Sequence, residues 1–175
     1  MNTTYVRLVN IFKTFSDNHL QVKRFHADFL EQLQNFTHLD INFPILYAVP
    51  INVNLLTDDI TDLSTYSFDI YCLDAIQEGR ENITPVLNNT SQILNDLHKW
   101  IKRNEFDGID ILAISNLTPM NNYTMDKLAG WRMRIDFECE GYTYCEIPFV
   151  NGTPVPEDDS VNTYIQTGYI SNYFV

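Results

Sequence analysis

Gly130-Trp131-Arg132-Met133-Arg134-Ile135-Asp136-Phe137-Glu138 alternates strictly between apolar and charged residues. In an extended chain successive side chains point to opposite faces. Trp131, Met133, Ile135 and Phe137 therefore share one face, and Arg132, Arg134, Asp136 and Glu138 share the other. The stretch predicts a strand with one face in a core and the other in solvent or at an interface. The charged face presents both signs, so it suits pairing with a second copy or with a neighbouring protein.

Upstream, residues 116–129 carry Pro119 and Asn121-Asn122 and read as a loop. Ile109-Asp110-Ile111-Leu112-Ala113-Ile114-Ser115 reads as a strand behind Gly108. Residues 84–103 read as a helix. Thr84 is an N-cap candidate and Pro85 is tolerated in the first turn. Ile93, Leu94, Leu97, Trp100 and Ile101 form its apolar stripe, and His98, Lys99, Lys102 and Arg103 suit its C-terminal dipole.

Two further β-rich runs lie nearer the N-terminus. Residues 45–55 contain Pro50, which implies an edge strand or a bulge. In 66–73, Tyr66, Phe68, Ile70 and Cys72 share a face. Joined through the polar stretch 56–65, with Asp58, Asp59 and Asp62, they predict a hairpin with a long protruding tip. Before them, residues 4–15 and 19–36 read as two helices broken at Ser16-Asp17-Asn18-His19. Val22, Phe25, Phe29, Leu33 and Phe36 recur at helical spacing in the second. Downstream, 143–147 extends or pairs with the strand at 130–138. The acidic, turn-rich stretch 151–159 leads into a tail with Tyr169, Tyr173 and Phe174.

The 175 residues suffice for one domain. Apolar residues at 45 % and charged residues at 19 % fit a globular chain. The net charge of -12 excludes broad phosphate contact with nucleic acid. No apolar run is long enough for a membrane helix, and Met1 to Thr14 shows no signal-peptide pattern. Three cysteines make no disulfide framework, and Cys139 and Cys145 read as buried thiols. The histidines lack ligand spacing, and neither Asp58-Asp59 nor Asp107 to Asp110 fits a calcium loop. With only 6 glycines there is no phosphate-binding loop, and no serine lies in a nucleophile elbow. No cofactor, metal or catalytic residue is expected.

These elements compose an α+β domain over 1–150 and an extended tail over 151–175. The domain holds a small antiparallel sheet of four to five strands with two or three helices on one face. Its other face is left open to neighbours. Phe25, Phe29, Leu97, Trp100, Trp131, Met133 and Ile135 are the expected core. The hairpin tip, Arg132, Arg134 and the tail aromatics Tyr169, Tyr173 and Phe174 are the expected interface.

The element order resembles that of tail-terminator and head–tail joining proteins of tailed bacteriophages. Six stretches are similar to members from crAss-like and other Bacteroidetes-type phages. They are Asp17 to Phe25, Phe43-Pro44-Ile45-Leu46-Tyr47, Phe68 to Asp74, Val86 to Leu97, Asp126 to Trp131 and Cys145-Glu146-Ile147-Pro148. The resemblance spans roughly residues 5–149 and omits the tail. It implies a structural virion protein of the neck or tail, assembled in the host cytoplasm. That protein is a subunit of a sixfold or twelvefold ring between portal-side connector and tail proteins. Genomic DNA passes through the ring without specific binding. Asp58, Asp59, Asp62, Glu157, Asp158 and Asp159 would then repel phosphate from the bore. Two other readings stay open: a small cytosolic peptide- or partner-binding module, and a hydrolase with an unrecognised carboxylate pair.

Overall fold

A computed structural model describes residues 4–28, 42–57, 62–77, 80–121 and 128–140. They form α1 (Thr4–Asn18), β1 (Arg24–Ala27), β2 (Ile45–Thr57), β3 (Asp62–Ala75), α2 (Ile83–Arg103), β4 (Ile109–Ile114), β5 (Thr118–Asn121) and β6 (Leu128–Glu140). The strands make one sheet in the order β1-β2-β3-β6-β4, with β5 also paired to β6. The α+β class with a small sheet stands.

Three details of the expectation change. Residues 24–27, expected inside a helix, are a strand parallel to β2. Lys23 N–H donates to the Pro44 carbonyl at 2.9 Å and Asp28 N–H to that of Ala48 at 3.2 Å, bracketing this short ladder. Phe25 falls opposite Leu46 and packs on the main core. A short apolar run suits either period, and here the free edge of β2 decides. The sheet is consequently mixed rather than antiparallel. Second, part of the expected loop is β5, pairing Thr118 to Asn121 with β6. Pro119 is tolerated because β5 is a short edge strand. Third, β2 and β3 pair as far as Thr57 and Asp62, so the tip is shorter than 56–65. Asp58, Asp59, Phe29, Cys145 and the tail with Tyr169, Tyr173 and Phe174 lie outside the described residues. So do the strand expected at 143–147 and the boundary at residue 150.

The hairpin is not a free arm. β3 lies between β2 and β6, and β6 accompanies it from Ala75 opposite Leu128 to Leu63 opposite Glu140. Pro50 acts as expected: the register shifts between Pro50 and Asn52, a bulge at Ile51.

Both helices pack on one sheet face. Phe12 of α1 meets Phe68 and Phe137 edge-on, at 5.4 and 5.8 Å between ring centroids. Leu97, Met133 and Ile135 are buried there, while Trp100 and Trp131 are half-buried at its margin. Trp131 Nε1–H donates to the Leu87 carbonyl of α2 at 2.8 Å, which ties β6 to that helix. The start of α2 differs slightly from expectation. Its N-cap is Asn82, whose side chain instead accepts from Gln77 N–H and donates to the Ala75 carbonyl.

The opposite face is not open throughout. Ile45, Tyr47, Val49, Tyr71, Leu73 and Leu128 form a second buried cluster there. Two-sided burial explains why Ile45 to Val49 is a continuous apolar run rather than an alternating one.

Asp74, near the end of β3, supplies a pH test. Burial raises its carboxyl above the usual range, partly offset by the hydrogen bond it accepts from Ala75 N–H. A pKa raised by folding contributes stability at low pH that is lost as pH rises through the folded value. Between neutrality and about pH 4, wild type should therefore gain melting temperature relative to Asp74→Asn as the solution is acidified. Thermal melts followed by circular dichroism read this directly. A constant or reversed difference would contradict it.

Candidate functional site

The charged face of β6 is organised by a residue of the neighbouring strand. β3 places Asp69 opposite Arg134, and Tyr71 opposite Arg132. The Asp69 side chain is only 4 % exposed. Its Oδ1 accepts from Arg134 Nε at 2.9 Å, and its Oδ2 from Arg134 Nη2 at 3.3 Å and Arg132 Nη1 at 3.4 Å. Arg134 is thus bidentate and Arg132 a looser second donor. The Asp69 hydrogen bonds and charge push the Arg134 guanidinium further up, so it stays charged.

Both arginines remain accessible, at 37 % and 44 % side-chain exposure. Two guanidiniums share this carboxylate and keep further N–H donors, with the acids Asp136 and Glu138 following them along the same face. Ser115 fixes the backbone here: its Oγ accepts from Arg134 N–H at 2.8 Å and its N–H donates to the Arg134 carbonyl at 2.9 Å. Asp136, two residues along, holds one buried carboxylate oxygen without a hydrogen-bond partner among the described residues. Arg132 and Arg134 were expected at an interface; the fold places them on an accessible face as an internally braced unit. Asp69 was missed. Its signal was an acid in the middle of the apolar run Phe68 to Leu73, able to meet a cation across a ladder.

The second feature is the pair of sheet edges beside this row. β1 covers β2 only at Ile45 to Ala48. Beyond it Ile51 and Val53 are 43 % and 47 % exposed, and Asn52 and Asn54 are exposed too. At the other side of the sheet β4 exposes Leu112 by 58 % and has β6 as its one strand neighbour among the described strands. Strand edges with outward apolar side chains are templates for further strands. Asp62, expected to line a channel, lies in the ladder opposite Thr57.

Cys72 and Cys139 are buried free thiols; burial pushes Cys72 far up and Cys139 to about 11. A neutral thiol is a poor nucleophile. His98 is pushed down by burial and by Lys102 and Lys99. No group of three or more His, Cys, Asp or Glu among the described residues is placed to hold a metal ion. No described helix is long and apolar enough to cross a membrane. The chain matches no protein-family model and no curated protein sequence.

Proposed function

We propose that this chain is a structural subunit that joins head to tail with copies of itself into a ring. The ring is of the neck or tail type that the sequence resemblance implies. The observation that carries the reading is the pair of unlike edges that no described strand covers, β2 beyond Ala48 on one side and β4 on the other. A contact between two different surfaces of one molecule repeats around an axis and closes into a ring. Pairing β2 of one copy with β4 of the next continues the sheet and covers Ile51, Val53 and Leu112. The braced arginines lie two strands from β2 and one from β4, where they orient the contact. Net charge of -12 suits a bore that must not hold DNA.

Charges placed on either edge test this. Ile51→Lys with Val53→Lys disables β2, and Leu112→Lys disables β4. All three positions are exposed, so each variant should keep wild-type folding to within about 0.5 kcal/mol. Co-expressed with the portal-side neighbour, wild type should give a closed ring by native mass spectrometry. Each variant alone should not. The two variants mixed should yield a heterodimer that grows no further, because its one contact uses both intact edges. A β4 variant that assembles like wild type would refute the head-to-tail scheme. Absence of the chain from purified virions would refute the structural role.

A further inference from the structure

Going beyond the ring reading, we infer that the cleft between α1 and α2 is a binding site for an acidic peptide segment carrying an aromatic side chain. The cleft is about 480 Å³ and lies between the C-terminal turns of the two helices. That volume is within the usual range for ligand sites. Its floor is aromatic: Phe15 packs on Trp100 at 5.7 Å and on His19 at 5.0 Å between ring centroids. Its rim carries Lys99 and Arg103.

Three observations go beyond packing. Arg103 forms no ion pair among the described residues, although it borders a cleft. The half-buried Trp100 ring lines the cleft, whereas the Trp131 indole N–H is spent on the Leu87 carbonyl. Lys99 reaches only the shared Asp96, at 3.4 Å, with His19 3.7 Å from the same carboxylate. The cleft therefore offers a guanidinium and an ammonium around one acid, above an aromatic floor. A carboxylate beside an aromatic ring satisfies this set. Cations near a helix C-terminus are favoured by the dipole, but that accounts for their position and not for the unused donors.

The chemistry favours a peptide over a nucleic acid strand. A strand needs cations along a track. The adjoining hollow, which shares Thr14 and Trp100 with the cleft, carries Glu105 and Asp107 beside a single cation, Arg7, which donates to the Asp107 carbonyl. The groove is therefore not a cationic track.

The test uses the full chain labelled with ¹⁵N and a blocked pentapeptide of one phenylalanine flanked by glutamates. Its counterpart with lysines and an oligothymidylate are the competitors. The glutamate peptide should move the Trp100 indole resonance saturably, leaving that of Trp131 in place. Arg103→Gln should weaken binding about tenfold or more. Asp96→Asn should strengthen it, because it removes the one acid and frees Lys99. The Trp131 resonance reports that each variant is folded. The inference is overturned if Trp100 does not respond at millimolar peptide, or if the lysine peptide binds equally. It is also overturned if Arg103→Gln binds like wild type, or if the oligonucleotide displaces the glutamate peptide. Failure here leaves ring assembly untouched, because neither helix contributes an edge.

Discussion

Gly130→Ala costs the domain about 3 kcal/mol or more in chemical denaturation, and Gly130→Val abolishes folding. The cause is the approach of two backbones. A Cβ on Gly130 would sit 1.9 Å from the Cys72 carbonyl oxygen and 2.9 Å from its carbon. Both atoms are main chain, so no side chain can swing aside. Relief requires moving β6 away from β3, yet Gly130 pairs with Leu73 on β3 and with Met120 on β5. Any displacement that opens one ladder strains the other. Alanine ordinarily gains about 0.5–1 kcal/mol over glycine within a strand, because it has less backbone freedom to lose. Here the clash outweighs that gain several-fold. Urea melts of the alanine variant measure the loss. Wild-type stability would show that the strands stand further apart in this row.

Such closeness is invisible in sequence, where Gly130 only marked the start of an alternating run. What could be read were elements whose period is long and unambiguous. β6, with Trp131, Met133, Ile135 and Phe137 in step, is visible because one of its faces is charged. α2 is visible because Ile93, Leu94, Leu97 and Ile101 repeat over several turns and are buried as a stripe. β1 fails because four residues cannot establish a period, and Val22, Phe25 and Phe29 fit a helix by spacing alone. Its conformation is set by β2, a partner some twenty residues away. β5 was hidden by Pro119 for the same reason, since only its edge position makes the proline acceptable.

The site divides in the same way. Arg132 and Arg134 could be named from β6 alone, because their alternation fixed their face. Asp69 could not, because its role exists only once β3 and β6 are neighbours in a known register. The cleft cations were visible as a basic helix end. What makes them a site is the crossing of α1, which sets Phe15 and His19 beside Trp100.

Removing both arginines should destabilise the domain more than removing the acid they share. Arg132→Met with Arg134→Met leaves the Asp69 carboxylate, 4 % exposed, without a cation. Stranding a buried charge costs about 3–5 kcal/mol. Half-exposed arginines place this case near the lower end, about 3 kcal/mol, because water enters where they stood. Asp69→Leu does the opposite. It returns two accessible guanidiniums to solvent and forfeits only their hydrogen bonds, roughly 1–2 kcal/mol. The triple variant, apolar at all three positions, should recover most of the loss, as apolar replacements of buried ion groups do. Arg134→Met alone should exceed Arg132→Met, since Arg134 holds Asp69 through two donors at 2.9 and 3.3 Å and Arg132 through one at 3.4 Å. Denaturant melts of the five variants give this ordering. If the triple variant matched wild type in stability yet failed to assemble, the row would serve the contact between copies rather than the fold. If Asp69→Leu proved the costliest change, the arginines would depend on the acid for more than charge, and the bracing described here would be wrong.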